Sequence, residues 1–317
     1  MLKKLMAKFG VGAAIVDLRL DQPSFRLGET MTGTIHIEGG SVEQRISELS
    51  VLLLMKTYIN GQEITRPVQS IPVLKGFAVQ PKPFVQDIPF TFQIPASLAV
   101  STPSLQYFLH TKLDVEMSLD PTDLDYVQIL PPKRIEKVIE ALLRNDFRQK
   151  PDSGKLTPYG QEFSFFPGRP MGVPLNELEV IFFDTPEELR MLVELDIAVP
   201  GLFSREKEHK VEIVVTNDLL EDGREEALAR YLMEKIEGFA NNPQTIPYVS
   251  MATYQQGYHG HHGHGMGGMI GGMAAGLLGG LLLGELMSEA AESAGDLFDD
   301  EGGDDGGFDF GFGDDEL

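Results

Sequence analysis

Residues 46–58 read ISELSVLLLMKTY, and this stretch decides the class of fold. Large aliphatic and β-favouring residues fill it, and no glycine or proline interrupts it. A run of this kind, with the Gly39-Gly40 pair as a turn signal before it, is typical of a buried strand. The stretch therefore predicts a long strand in the core of a β-rich protein.

Further strand signals flank this segment and are separated by loops that contain proline or glycine. Ala13–Leu20 and Met31–Ile37 precede it, and polar and apolar residues alternate in both. Turn signals recur about every ten residues, which is typical of an antiparallel sandwich and not of the strand–helix alternation of a parallel sheet. Residues 1–130 are therefore predicted to form a β-sandwich, with later strands at Val68–Leu74, Asp87–Ile94 and Leu105–Leu119.

The periodicity changes from strand to helix after Pro131-Pro132. Apolar residues then recur every three or four positions, so residues 131–150 are expected to hold an amphipathic connecting helix. Its apolar face comprises Ile135, Val138, Ile139, Leu142 and Leu143.

Residues 151–240 are predicted to form a second, smaller sandwich followed by a terminal helix. Asp218 is the expected cap of that helix, because a short acidic side chain accepts hydrogen bonds from free amides at a helix start. The strand signals of this part are Glu162–Phe166, Glu177–Phe183, Leu189–Ala198 and Lys210–Thr216.

Charge is distributed unevenly along the chain, whose formal net charge is −22. Residues 1–235 carry −8, whereas residues 236–317 carry −14 and contain no lysine or arginine. A nucleic-acid partner is not expected, because no excess of basic residues is available to neutralise phosphates. The chain has no cysteine, which excludes disulfides, cysteine-ligated metals and thiol nucleophiles. No cofactor is predicted.

The first nine residues have the pattern of a short amphipathic helix that leads into the first sandwich. Its apolar face comprises Leu2, Leu5, Met6 and Phe9, and the opposite face comprises Lys3, Lys4 and Lys8. Such a helix can pack on its own domain, or it can contact a membrane surface or a partner. Because Lys8, Asp17 and Arg19 interrupt any signal-peptide core, a cytoplasmic location is expected.

Residues 241–317 are predicted to form a low-complexity tail. Its first block is a histidine cluster, whose imidazoles could hold zinc, nickel or copper in a loose site. The cluster comprises His259, His261, His262 and His264. Its last block, Glu285–Leu317, contains 13 acids and is expected to be disordered, because it has too little apolar surface to form a core.

Between these blocks, Met266–Gly284 is a stretch of 19 residues without any charge. A glycine at every fourth position is typical of helices that pack on one another, so self-association or peripheral membrane contact is favoured. A flexible linker and a membrane span are the alternatives. The repeated glycines are Gly268, Gly272, Gly276, Gly280 and Gly284.

The sequence has none of the motifs that mark common catalytic sites, such as Gly-x-Ser-x-Gly or His-Glu-x-x-His. His36, His110 and His209 lie in or beside predicted strands, where a lone histidine is more often structural than catalytic. The segment Asp120–Asp125 offers three carboxylates that could bind calcium, but it lacks the spacing of a calcium loop. A turn in which these carboxylates accept backbone hydrogen bonds is favoured. The protein is not expected to be an enzyme.

Several stretches within residues 1–217 together resemble the sporulation-control protein family (stage-zero M type). The family implies a mainly β protein with two arrestin-like antiparallel sandwich domains joined by a short connector. It also implies a non-enzymatic cytoplasmic protein that influences sporulation or cell division through contacts with other proteins. The stretches are Lys3–Ala14, Arg26–Thr30, Gly33, His36–Gly40, Asp120–Tyr126 with Pro131-Pro132, Pro167–Arg169, Leu178–Val180 and Leu192–Asp196.

Three functional hypotheses follow from these observations. The leading one is an adaptor or scaffold that binds other proteins and can self-associate through the glycine repeat. The second is a peripheral membrane protein that uses the N-terminal basic helix, the glycine repeat or both. The third is a metal-handling protein that uses the histidine cluster.

Overall fold

The structure is a computed structural model of the chain, and it describes residues 12–59, 62–116, 119–157, 159–170, 172–199 and 205–245. The predicted N-terminal helix, histidine cluster, glycine repeat and acidic block lie outside these ranges. Strands dominate the described residues. They are β1 (Ile15–Leu20), β2 (Ser24–Arg26), β3 (Thr30–Glu38), β4 (Gln44–Ile59), β5 (Gln62–Val79), β6 (Val85–Gln93), β7 (Leu105–Val115), β8 (Thr122–Leu130), β9 (Phe147–Gln149), β10 (Lys155–Thr157), β11 (Gly160–Pro167), β12 (Leu175–Asp184), β13 (Glu188–Val199) and β14 (Arg205–Thr216); the helices are α1 (Lys133–Arg144) and α2 (Glu225–Asn241).

The first eight strands form two sheets. One sheet has the order β1-β3-β6, and the other has the order β2-β8-β7-β4-β5. All pairs are antiparallel except β2 with β8. Alternate side chains of β1, β3, β4 and β7 are buried, because successive residues of a strand point to opposite faces. The resulting core includes Leu18, Ile35, Val51, Tyr107 and Leu109.

Strand β4 confirms the long core strand predicted from residues 46–58. Its partner β5 is much longer than the predicted Val68–Leu74, because it pairs with β4 almost from end to end. Strand β8 corrects the interpretation of Asp120–Asp125 as a turn for its last four residues, since the chain is already extended from Thr122.

The remaining strands form one six-stranded antiparallel sheet, in which β10-β11-β12-β13-β14 is the main order and β9 also pairs with β11. The prediction of a mainly β chain with antiparallel sheets and short helices is confirmed. The domain boundaries near residues 130, 150 and 240 stay predictions. One face of this sheet is mostly apolar and buried, and it includes Phe163, Phe165, Leu178, Val180, Phe182, Met191, Val193, Leu195, Val211, Ile213 and Val215.

The two helices pack on each other and beside the six-stranded sheet. The Tyr231 hydroxyl of α2 donates a hydrogen bond of 2.6 Å to the carbonyl oxygen of Val214 in β14. The expected cap at Asp218 is wrong, because Asp218 lies in a short 3-10 turn and α2 begins at Glu225. The acidic residues of the first turn of α2 are Glu225 and Glu226, which suit the positive end of the helix dipole.

A buried amide side chain joins the two sets of strands. Gln161 in β11 is completely buried, and its oxygen accepts a hydrogen bond of 2.8 Å from the Val100 amide. Its nitrogen donates to the carbonyl oxygens of Val100 and Gly154, each at 2.9 Å. Both ends of the amide are therefore satisfied by backbone groups that would otherwise be buried without partners.

We expect the substitution Gln161→Leu to lower the free energy of unfolding by about 2–4 kcal/mol, because it leaves these backbone groups buried and unpaired. Denaturant unfolding measures the change. The control is Gln128→Leu at an exposed position, for which about 0.5 kcal/mol or less is expected. Equal effects of the two substitutions would contradict a joining role for Gln161.

Candidate functional site

The face of the six-stranded sheet opposite the apolar core is unusually rich in carboxylates. Acidic residues occupy alternate positions on β12, β13 and β14, and β11 adds Glu162. The strand register places the acids of β12–β14 in rows across the sheet. One row runs from Glu179 to Glu194 to Lys210, and the next runs from Glu177 to Asp196 to Glu208. We call this surface the acidic face, and it comprises Glu162, Glu177, Glu179, Glu194, Asp196, Glu208 and Glu212.

Lysines neutralise only part of this charge. Lys150 lies 2.6 Å from Glu177, and Lys210 lies 2.7 Å from Glu194. Burial and the neighbouring carboxylates Glu179 and Glu194 raise the pKa of Glu162 to about 7. Burial also raises the pKa of Glu179 and of Glu194. The acidic face therefore holds carboxylates at positions where their charge is poorly solvated, and a cation placed beside them would be favoured.

A cavity of about 210 Å³ opens on the acidic face. Ile181 and Leu192 provide an apolar floor, and Tyr159 and Thr157 form part of the wall. Glu162, Glu179, Glu194 and Lys210 complete the lining. The combination of an apolar floor with converging carboxylates suits a ligand that has an aliphatic stem and a positively charged end, such as a lysine or arginine side chain.

Within the described part of the chain, one group of carboxylates has the spacing of a possible metal site. Oxygens of Glu194, Asp196 and Glu208 lie within 4.8 Å of one another. Oxygen ligands of this type suit hard cations such as calcium or magnesium. Acidic groups at an exposed surface are common without a metal, so the spacing alone assigns no metal centre.

A second pair of acids lies where β8 meets β1. Both oxygens of Asp123 accept backbone hydrogen bonds, one from Leu18 at 2.8 Å and one from Leu124 at 2.9 Å. Its neighbour Asp125 has a buried oxygen without a hydrogen-bond partner among the described residues. Burial, together with the charge of Asp123, raises the pKa of Asp125 to about 7. Asp120 accepts a bond from the Val115 amide, as expected for a turn carboxylate.

Most of the site residues predicted from the sequence lie outside the residues that the structure describes. The amphipathic helix of Leu2–Phe9, the histidine cluster and the glycine repeat are all beyond the described ranges, and their roles stay predictions. Of the three remaining histidines, His36 in β3 lies 2.6 Å from Asp87. His110 is in β7, and His209 is in β14, where burial lowers its pKa. The structure does not bring these three histidines together in one row of strand pairing.

The acidic face is not among the features predicted from the sequence, although the sequence contains a signal for it. Acids alternate with aliphatic residues at Glu177–Val180 and again at Glu194–Ile197. Charges at alternate positions of neighbouring strands indicate one charged face, provided that the strands pair in register. The register itself was not available from the sequence.

Residues 2–198 match the protein-family model described as SpoOM protein. The chain belongs to the Spo0M family. The match includes the predicted N-terminal helix and ends before the histidine cluster and the glycine repeat. The family resemblance inferred from the sequence is therefore confirmed for the β-rich part.

A curated relative and a solved structure agree with this assignment to the Spo0M family. The sporulation-control protein spo0M of Bacillus subtilis (strain 168) is 32% identical over 215 residues, which cover 63% of this chain and 82% of the relative. The crystal structure of Spo0M, sporulation control protein, from Bacillus subtilis superposes with a TM-score of 0.59 at 27% identity. That superposition covers 73% of this chain and all of the other.

Within the described residues, no helix is long and apolar enough to cross a membrane.

We expect the acid pair on β8 to make stability depend on pH. Between about pH 4 and pH 7 the folded protein keeps a proton on Asp125 that the unfolded chain releases, so stability falls as pH rises through this interval. Asp125→Asn should remove this decrease in stability with rising pH, because asparagine has no titratable proton. Denaturant unfolding should show the variant to be more stable than wild type at about pH 8, with the difference shrinking toward about pH 4.

Glu43→Gln, at an exposed position, controls for the loss of one negative charge. A gain in stability from Asp125→Asn that is the same at both pH values would show that proton binding at Asp125 is not its cause.

Proposed function

We propose that this member of the Spo0M family is a non-enzymatic cytoplasmic protein that controls sporulation or cell-division events by binding other proteins. Family membership supports the link to sporulation control, since the Bacillus subtilis relative is a sporulation-control protein. The acidic face carries the proposal of protein binding. It offers an open charged surface with a cavity suited to a basic side chain.

The electrostatics of the acidic face support a binding role for it. Carboxylates with raised pKa values are held in neighbouring rows by the strand pairing, at a cost that a cationic partner would offset. Complementary charge of this kind accelerates association and selects the partner. The proposed partner therefore presents lysine or arginine side chains to the sheet.

The membrane and metal hypotheses are not supported by a specific observation on the described residues. Both depend on segments beyond them, namely Leu2–Phe9, the histidine cluster and the glycine repeat. They remain secondary to the protein-binding proposal.

A charge-neutral variant tests the proposal in the native cells. Glu194→Gln with Asp196→Asn removes two carboxylates from the centre of the acidic face and keeps the side-chain shapes. We expect at least one protein to co-purify with full-length wild type, and its co-purified amount to fall about fivefold in the variant. A fivefold change corresponds to a loss of about 1 kcal/mol of binding free energy. Quantitative mass spectrometry of cross-linked samples measures it.

Glu48→Gln with Glu63→Gln is the matched control, because these acids pair with lysines on the five-stranded sheet. The set of co-purifying proteins should be unchanged in this control. Identical sets for both double variants would refute binding through the acidic face. Catalytic turnover by the purified protein that is lost in Glu162→Gln would overturn the non-enzymatic proposal.

A further inference from the structure

Strand β14 ends the six-stranded sheet as a long and regular edge. It pairs with β13 over twelve consecutive residues without a register shift. It contains no proline, unlike the edge strands β5 and β6, which carry Pro67, Pro72 and Pro89. Proline and bulges are devices that prevent pairing at a sheet edge. Their absence from β14 leaves this edge able to pair.

The hydrogen bond from Tyr231 shows which backbone groups of β14 face outward. The carbonyl oxygen of Val214 accepts a hydrogen bond from α2 and therefore points away from β13. Because the orientation of backbone groups alternates along an antiparallel strand, the amides and carbonyls of the other even-numbered residues of β14 also point away from β13. Glu208 and Lys210 share this orientation, and none of the described residues bonds to their backbone groups. Helix α2 therefore closes the C-terminal end of the edge, and no other described residue covers its middle.

The side chains around this open stretch define what could pair there. On the acidic face, Glu208 lies beside Asp196 and Glu194, and a residue added next to it would meet three carboxylates. On the opposite face, Lys207 is exposed and His209 is half-buried, and from Val211 onward the side chains are buried and continue the apolar core. A strand added to β14 would thus place basic residues on one side and aliphatic residues on the other.

We propose that the middle of β14 binds an extended segment of a partner protein by strand addition, and that this segment alternates aliphatic residues with lysine or arginine. The inference rests on the proposed protein-binding function and names its surface and the partner's chemistry. Main-chain hydrogen bonds to Glu208 and Lys210 provide the affinity, and the acidic rows provide the selectivity. The charges of β14 also disfavour pairing with an uncharged apolar strand.

A synthetic peptide tests the proposal with the full-length protein. The probe is a fluorescent VKVKVKV peptide, and the comparison peptides are VEVEVEV and KKKVVVV. We expect anisotropy titrations to show binding of VKVKVKV that is about tenfold tighter than binding of either comparison peptide. Hydrogen exchange of the Glu208 and Lys210 amides should slow at least about tenfold in the complex, because a new strand protects both.

Two substitutions at one position separate backbone pairing from charge. Glu208→Pro and Glu208→Thr both remove the carboxylate, but only proline removes the outward amide. We expect Glu208→Pro to bind VKVKVKV about tenfold more weakly than Glu208→Thr. Should the proline variant fail to fold, the exchange of the two amides in wild type decides the matter.

Binding of VKVKVKV without slower exchange at Glu208 and Lys210 would place the peptide elsewhere and overturn strand addition. Equal binding of VKVKVKV and KKKVVVV would do the same, since only the alternating peptide matches both faces. If no peptide binds while the Glu194 and Asp196 double variant still loses a cellular partner, strand addition fails and the proposed function stands.

Discussion

Each sheet of this protein ends in edge strands whose outer amides and carbonyls need hydrogen-bond partners. The neighbouring elements bond to these edges or cover them, or prolines interrupt them. At β1 the Asp123 carboxylate of the other sheet accepts a hydrogen bond from the Leu18 amide. At β5 two prolines coincide with register shifts that break the regular edge. At β14 only the end is covered, by Tyr231 of α2. Within the part of the chain that the structure describes, the edge of β14 is regular and partly open, and it borders the acidic face.

Helix α1 and one glutamine hold the two sets of strands together. Arg26 of β2 pairs with Glu136 of α1 at 2.8 Å, while Arg134 of the same helix binds the side chain of Asp184 at the end of β12. Gln161 adds the buried amide contact to Val100. The connecting helix α1 therefore forms ion pairs with both sets of strands, and these pairs hold the sheet that carries the acidic face in place against the first set.

Much of the fold could be predicted from the sequence, because strands and helices differ in the spacing of apolar residues. The long strand at residues 46–58 and the helix after Pro132 are examples. The start of β8 was missed because Asp123 and Asp125 resemble a turn, and only the neighbouring strand shows that they point inward. The acidic face was missed for a related reason. Its charges belong to four strands, and their assembly into one surface depends on a register that no local pattern encodes.

The raised pKa values have a consequence for the proton content of the molecule. Asp125 and Glu162, each with a pKa of about 7, both bind protons near neutral pH, so the folded chain carries less negative charge than its formal count. The protein thus acts as a small buffer near neutrality. A cation that binds in the cavity beside Glu162 lowers the pKa of this carboxyl and releases part of its bound proton. The resulting fall in the pH of a weakly buffered solution would detect cation binding without any label.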